Sequence, residues 1–244
     1  MSNNPFGDYI RQRRLDAHLT RTELAKRANI SASLIEKVEL GTRPTTVNTM
    51  QVLLKQLDVP PLYRKHILSL SFPGLLYDPH AGTEPCEPTH ADRADLQSIA
   101  GPACFYGLPA FTIVAANAEH EQTFPGLRAG SSFVEWMFLN PAAHDVMVEW
   151  HKEARRVIHV LRMLSPNVGA DQESVSVIRK CQQTPEWDDM WNSGPSVAGP
   201  DNDYIRIRNR PDRRIHEMSI RIYSPEYPHR PWWHCRLVPR TTHR

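Results

Sequence analysis

Ala32, Ser33, Glu36 and Lys37 fall at helical spacing on the side of a short segment that its apolar residues leave exposed. Their chemistry suits the edges of base pairs. Lys37 can donate to guanine, Glu36 can accept from the cytosine amino group, and Ala32 can touch a thymine methyl. Glu36 has a second reading, as a surface charge that holds Lys37 or Arg43 in place. Arg21, Thr22, Ser31, Arg43, Thr45 and Thr46 stand at helix N-termini or in loops, where side chains and free backbone N–H groups meet phosphates. Arg11, Arg13 and Arg14, further upstream, read as solvated or as distal phosphate contacts.

The elements that must position these groups are marked by caps. Thr20 and Glu23 form a capping box. Leu24 and Ala25 face inward, Asn29 suits the left-handed residue that ends a helix, and Ile30 anchors the turn. Ser31 is a second N-cap. Leu34, Ile35 and Val38 make one apolar stripe, Gly41 sits where a terminating glycine belongs, and Pro44 blocks continuation. Thr45 or Thr46 caps a further helix with Val47, Met50, Leu53, Leu54 and Leu57 inside. Pro5 opens an upstream helix to about Ala17, with Phe6, Tyr9, Ile10 and Leu15 as its apolar face. A fifth helix is expected over Pro61 to Leu70. These signals make residues 1–70 an all-α five-helix domain built on a helix-turn-helix.

Within this stretch, Thr-x-x-Glu-Leu-Ala, then Ala-Asn-Ile-Ser, then Leu-Ile-x-x-Val-Glu-x-Gly-x-Arg-Pro resemble the Cro/CI-type helix-turn-helix of the xenobiotic-response-element (XRE) family. The resemblance covers about residues 6 to 58 and implies a sequence-specific reader of double-stranded DNA. A single module of this kind rarely binds tightly alone, so a homodimer on an inverted-repeat operator is expected. Charge agrees. Residues 1–70 hold eleven Lys/Arg against six Asp/Glu, a net of +5, while the whole chain is +2. A basic module on a mildly acidic body fits DNA binding.

At 244 residues and 40% apolar content the chain can hold one or two domains with a real core. No stretch has the run of apolar residues that spans a membrane, and no signal peptide is evident. The four cysteines are isolated, which argues against a disulfide or metal framework and for a cytoplasmic protein. Residues 71–95 read as a proline-rich linker carrying Pro73, Pro79, Pro85 and Pro88. His80, Cys86 and His90 lie there at spacings that match no metal site. No Ser/Lys self-cleavage motif, nucleophile elbow, P-loop or metalloprotease motif occurs, so neither an enzyme nor a bound cofactor is expected. Haem held by His144, His151 or His159 stays open, and a colourless purified protein would remove it.

Residues 96–240 read as an α+β domain, an antiparallel sheet with helices packed on one side. Phe111 to Ala115 is a strand candidate and Asn117 to Phe124 a short helix. A long helix runs from Pro141 to Ser165, a second from Glu173 to Gln183, and a third starts at Thr184 with Trp187 and Trp191 at i and i+4. Strands are expected at Tyr204 to Arg208, Ile215 to Tyr223 and Trp232 to Val238, the first pair joined by a turn at Asn209 to Arg213. Phe105, Phe111, Phe124, Trp136, Phe138, Trp150, Trp187 and Trp191 concentrate aromatic area here, the composition of an apolar pocket or simply of a core. Asn117, Arg162 and His159 are candidate polar anchors. Asn117 also fits a helix N-cap, and Arg162 also fits a pair with Glu149 or Asp145.

Ile113-Val-Ala-Ala-Asn-Ala, Trp136-Met-Phe-Leu-Asn-Pro, Glu149-Trp150, Leu161-Arg162 and Thr184-Pro-Glu-Trp-Asp-Asp-Met-Trp191 resemble the PAS-like ligand-binding domain of MmyB-type XRE regulators, which are actinobacterial transcription factors. The resemblance covers about residues 105 to 225. It implies dimerisation and a small apolar ligand, with a fatty acid as the usual suggestion. Gly130-Ser131-Ser132 stands where the family often has Gly-Asn, and Thr-Pro-Glu-Trp replaces Ser-Pro-Glu-Phe. Segment 225–244 has no counterpart in the resemblance. The competing reading is a DNA-binding regulator whose C-terminal domain docks a protein and takes no small molecule.

Overall fold

Caps set the helix boundaries of the first part of the chain. The Thr20 hydroxyl accepts the Glu23 N–H at 3.1 Å and the Glu23 carboxylate accepts the Thr20 N–H at 2.7 Å. That reciprocal pair opens α2 (Arg21–Ala28), which follows α1 (Pro5–Asp16). Asn29 closes α2 at φ 51°, in the left-handed conformation. Ser31 opens α3 (Ala32–Glu39) by accepting the Leu34 N–H, and Gly41 ends it at φ 68°. Thr46 opens α4 (Val47–Gln56). In the computed structural model residues 5–61, 63–64, 67–68, 87–164, 172–193, 203–209, 212–225, 228 and 230–240 are described. Pro61, Tyr63, Arg64, Ile67 and Leu68 have helical backbone, and the rest of the expected fifth helix lies outside the described residues.

The chain divides into two compact units, Met1–Gly82 with Arg162–Asp171, and Thr83–Leu161 with Gln172–Arg244. The first is centred on Ile10, Leu24, Ile35, Met50, Leu53 and Leu54, all fully enclosed. Each such side chain contributes about 1.5–3 kcal/mol by leaving water. Two expectations about α1 fail. Leu15 is exposed, while Arg13 and Arg14 are buried. Arg14 stands one turn after Ile10 and so shares its inward stripe, whereas Leu15 falls off it.

In the second unit the first helix starts inside the expected linker. Thr89 and Asp92 form a second capping box and open α5 (His90–Ser98). The structured domain thus begins before residue 96. The proline-rich composition of the preceding stretch obscured a four-residue cap signal. Of the residues considered there for metal, His80 and Cys86 lie outside the described residues.

After α5 come β1 (Ala103–Gly107), β2 (Thr112–Ala116), α6 (Ala118–Thr123), α7 (Phe133–Leu139) and α8 (Pro141–Val146). They are followed by α9 (Trp150–Met163), α10 (Gln172–Cys181), α11 (Trp187–Asn192), β3 (Tyr204–Arg208), β4 (Ile215–Tyr223) and β5 (Trp233–Pro239). The single long helix expected from Pro141 is broken between α8 and α9. Met147 bridges Ile207, and the Val148 N–H bonds the Arg206 carbonyl at 3.1 Å. The edge strand β3 therefore takes backbone groups that a continuous helix would have used.

The five strands pair antiparallel in the order β2-β1-β5-β4-β3. The expected β3–β4 hairpin is present, and β5, from the C-terminal segment, lies at the centre of the sheet. Directly opposed residues share a face. Cys104, Cys235 and Ile222 form one row; Phe105, His234 and Tyr223 form the next, on the opposite face. Phe105 packs there with Leu96 of α5 and with Trp232.

Candidate DNA-reading helix and ligand-facing aromatics

Helix α3 is seated by one face and open on the other. Ile35 and Val38 are buried, while Ser33, Glu36 and Lys37 are exposed and Ala32 is half-buried. Thr22, Ser31, Arg43 and Thr46 are exposed, and Thr45 is half-buried. Ser31 and Thr46 each use the side-chain oxygen as a cap, accepting the Leu34 and Thr49 N–H groups.

A cluster of charges braces this helix. Glu39, fully enclosed at the end of α3, receives Arg14 at 2.6 Å and Arg21 at 2.8 Å. Arg14 also donates to the Leu19 carbonyl at 2.9 Å. Burial alone would push the Glu39 carboxyl up, but hydrogen bonds from Arg14 and Arg21 and their charges bring it below the ordinary carboxylate range. This corrects the reading of Arg14 as solvated or phosphate-bound: its charge is neutralised inside the fold. Arg13 is buried too, with Asp16 at 3.8 Å. Glu36 pairs with Arg21 at 3.5 Å, and not with Lys37 or Arg43. The signal for Glu39 was available: it follows Ile35 by four residues and so falls on the buried side of α3.

In the second unit the described aromatic residues form four groups. Phe105, Trp232, His234 and Tyr223 lie on one face of the sheet, while Tyr106 stacks on Phe111 and tilts against Trp233 on the other. Phe124 meets Trp136 edge-on at 5.6 Å, with Phe133 and His120 beside them. Phe138 meets Trp150 and Trp187 edge-on at 5.7 and 4.9 Å, and Trp187 stacks on Trp191 at 5.4 Å. The Trp136 indole donates to the Pro125 carbonyl and the Trp150 indole to Met137. Trp187 differs. It is completely enclosed, and its indole N–H has no acceptor among the described residues. His144 stacks on Trp150 at 4.1 Å, with His151 edge-on to the same ring.

Two of the expected polar anchors, Asn117 and Arg162, have protein partners. Asn117 is buried; its Oδ1 accepts the His120 and Ala103 N–H groups, and its Nδ2 donates to the Ile99 and Gly101 carbonyls. It joins α5, β1 and α6 as a helix N-cap. Arg162 falls in the first unit and pairs with Asp16 at 3.0 Å, in place of Glu149 or Asp145. Glu149 instead meets Lys152, and Asp145 meets Arg213.

Two buried ionisable groups were not anticipated. His120 has an Nδ1 without a partner among the described residues, and burial lowers it to about 4. Glu153 is enclosed on α9 with Arg156 at 2.7 Å, and burial raises its carboxyl against the pull of Arg156. No group of three metal-ligating side chains occurs among the described residues. None of their helices is long and apolar enough to cross a membrane.

Comparison with known families agrees with both halves of this description. Residues 10–64 match the family described as helix-turn-helix. Residues 98–233, more than half of the chain, match the family described as MmyB-like transcription regulator ligand binding domain. That match reaches into β5 and so includes part of the C-terminal segment that the earlier resemblance left out. No curated protein matches the chain. The chain belongs to the MmyB-like transcription regulators, with a DNA-binding helix-turn-helix ahead of the family's ligand-binding domain.

Proposed function

We propose that the protein is a homodimeric regulator that reads an inverted-repeat operator through α3 and adjusts that reading to a small apolar ligand. The observation that carries the first half is the asymmetry of α3: Ile35 and Val38 anchor it, and Ser33, Glu36 and Lys37 are left at the surface. Ala32, Ser33, Glu36 and Lys37 contact base edges. Thr22, Ser31, Arg43, Thr45 and Thr46 contact phosphates. Arg21, tethered to Glu39 through Nε, holds Glu36 and offers the remainder of its guanidinium to the backbone. The two-fold symmetry of a dimer would place two copies of α3 about one helical turn of DNA apart.

The second half rests on Trp187. A fully buried indole N–H without an acceptor is costly, and a ligand oxygen would relieve it. We assign the ligand to the aromatic group of Phe138, Trp150, Trp187 and Trp191, with Trp187 as the polar anchor in place of Asn117 and Arg162; Phe105 and Phe111 lie on opposite faces of the sheet, and Phe124 and Trp136 form a separate group. An acyl chain with a carboxyl head, as in a fatty acid, has the matching chemistry. Such a ligand acts on DNA binding only by its difference in affinity between two arrangements of the dimer. No catalytic step is part of this account.

Native mass spectrometry of the purified chain tests the reading. The expected spectrum is a dimer carrying a small-molecule mass that organic extraction removes. A dimer that carries none, and that gains none when incubated with fatty acids, would favour the protein-docking alternative.

A further inference from the structure

Cys104 of β1 and Cys235 of β5 stand directly opposite each other in antiparallel register. The Leu237 N–H donates to the Pro102 carbonyl at 2.8 Å, two residues away on each strand, so 104 and 235 occupy a hydrogen-bonded pair. Such pairs have Cα atoms about 5.5 Å apart, inside the range of about 4.4–6.8 Å that a disulfide bridges. Their Cβ atoms lie about 4.5–5.5 Å apart, slightly more than the roughly 3.5–4.5 Å of a relaxed disulfide. Closure therefore draws two strands together against the pleat, and strained bonds of this kind are the readily reduced ones. Both sulfurs are thiols in the structure; Cys104 is buried and Cys235 half-exposed.

We propose that Cys104 and Cys235 form an oxidisable dithiol that closes to a cross-strand disulfide when the protein meets a hydroperoxide. Cys235, the more accessible, reacts first. Its thiolate attacks one peroxide oxygen, the S–O bond forms as the O–O bond breaks, and the leaving oxygen departs as water or alcohol after taking a proton. The sulfur is oxidised to a sulfenic acid and the peroxide is reduced. Cys104 then attacks that sulfur, the S–S bond forms, and the hydroxyl leaves as water with the Cys104 proton. The order fits the environment of Cys104, whose thiol is raised well above its usual value by its hydrogen bond to Cys235, by burial and by the charge of Cys235. Two equivalents of an external thiol, or one dithiol, reverse it: the first thiolate forms a mixed disulfide and releases one cysteine, and the second releases the other and leaves as the external disulfide. The bond would clasp the first strand of the domain to the last, across nearly all of its chain.

Cys181 is an internal control. It is buried, and burial first, then the Glu135 charge, push its thiol to about 12. The full-length protein is treated with hydrogen peroxide, alkylated under denaturing conditions, and mapped by tryptic peptide mass. The expected map joins the Cys104 and Cys235 peptides, leaves Cys181 alkylated, and returns to separate peptides after dithiothreitol. C104S should retain Cys235 as a sulfenic acid trapped by dimedone, and C235S should leave Cys104 alkylatable. The proposal fails if both wild-type cysteines remain alkylatable. It fails equally if wild-type Cys235 collects dimedone while Cys104 stays free, or if Cys104 bonds to a different cysteine.

Discussion

The Arg14 guanidinium meets the Glu39 carboxylate through two contacts, Nε to Oε1 at 2.6 Å and Nη2 to Oε2 at 3.1 Å, bridging α1 and the end of α3 inside the helical unit. The pair fixes α3, the proposed reading helix, to α1. It therefore belongs to stability first and to recognition only through the placement of α3.

Arg14→Ala would leave Glu39 buried and held by Arg21 without the two contacts from Arg14. Breaking a buried ion pair costs about 3–5 kcal/mol. Urea unfolding of the variant should show a loss near that size, whereas a midpoint within error of wild type would show that the pair contributes little.

Glu39 also predicts an acid dependence. Its carboxyl lies below its ordinary value of 4.5 in the folded chain, so its stabilisation is complete above that value and is lost as pH falls through the lower, folded value. The stability gap between wild type and Glu39→Gln should thus be widest near neutrality and close in strong acid. A gap that widens on acidification would reverse the sign of this assignment.

His120 acts in a higher pH window. Burial holds it neutral, with a folded value of about 4 against 6.5 unfolded. The unfolded chain takes up the proton first, so stability falls as pH drops from about 6.5 toward 4, by on the order of 3 kcal/mol in all. His234, also lowered first by burial, adds a loss of the same sign. The stability of His120→Gln should decline less across this window, as measured by denaturant titration at several pH values.

Asn117 offers a test of structure against ligand contact. Its four hydrogen bonds all go to backbone of the second unit. Asn117→Ala removes an N-cap and strands buried backbone groups, a loss of about 3 kcal/mol. Replacing the Trp187 indole by the isosteric benzothiophene of β-(3-benzothienyl)alanine keeps the bicyclic shape and removes only the N–H. It should not destabilise the fold and should weaken binding of a long-chain fatty acid about fivefold, the worth of one hydrogen bond. Isothermal titration with the two variants separates these roles.

Much of the first unit was legible because its signals are local. Thr20, Glu23, Asn29, Ser31, Gly41 and Thr46 each act on residues within one turn, and the structure shows them where the spacing placed them. The position of Arg14 on the Ile10 stripe was legible, but its pairing was not, because its partner Glu39 is distant in sequence. The same limit applied in the second unit. Strands β3, β4 and β5 alternate and were readable, but β1 is buried on both faces and carries no alternation. The break between α8 and α9 depends on β3, which arrives much later in the chain. The aromatic residues announced an apolar domain but not their division into four groups, which follows from sheet register and helix packing. Among them, the Trp187 N–H, without an acceptor among the described residues, emerges only from its surroundings.

The exposed side of α3 is proposed to read DNA sequence. The most direct measurement is a binding titration of the full chain against an operator selected from random duplex DNA, with Lys37→Ala in parallel and circular dichroism as a check on fold. The prediction is tight binding by wild type to an inverted repeat. Lys37→Ala should keep its helical spectrum but lose about 1–3 kcal/mol of discrimination, and retain only weak, salt-sensitive association. An unchanged titration for a folded Lys37→Ala would contradict the assignment of α3 as the reading helix.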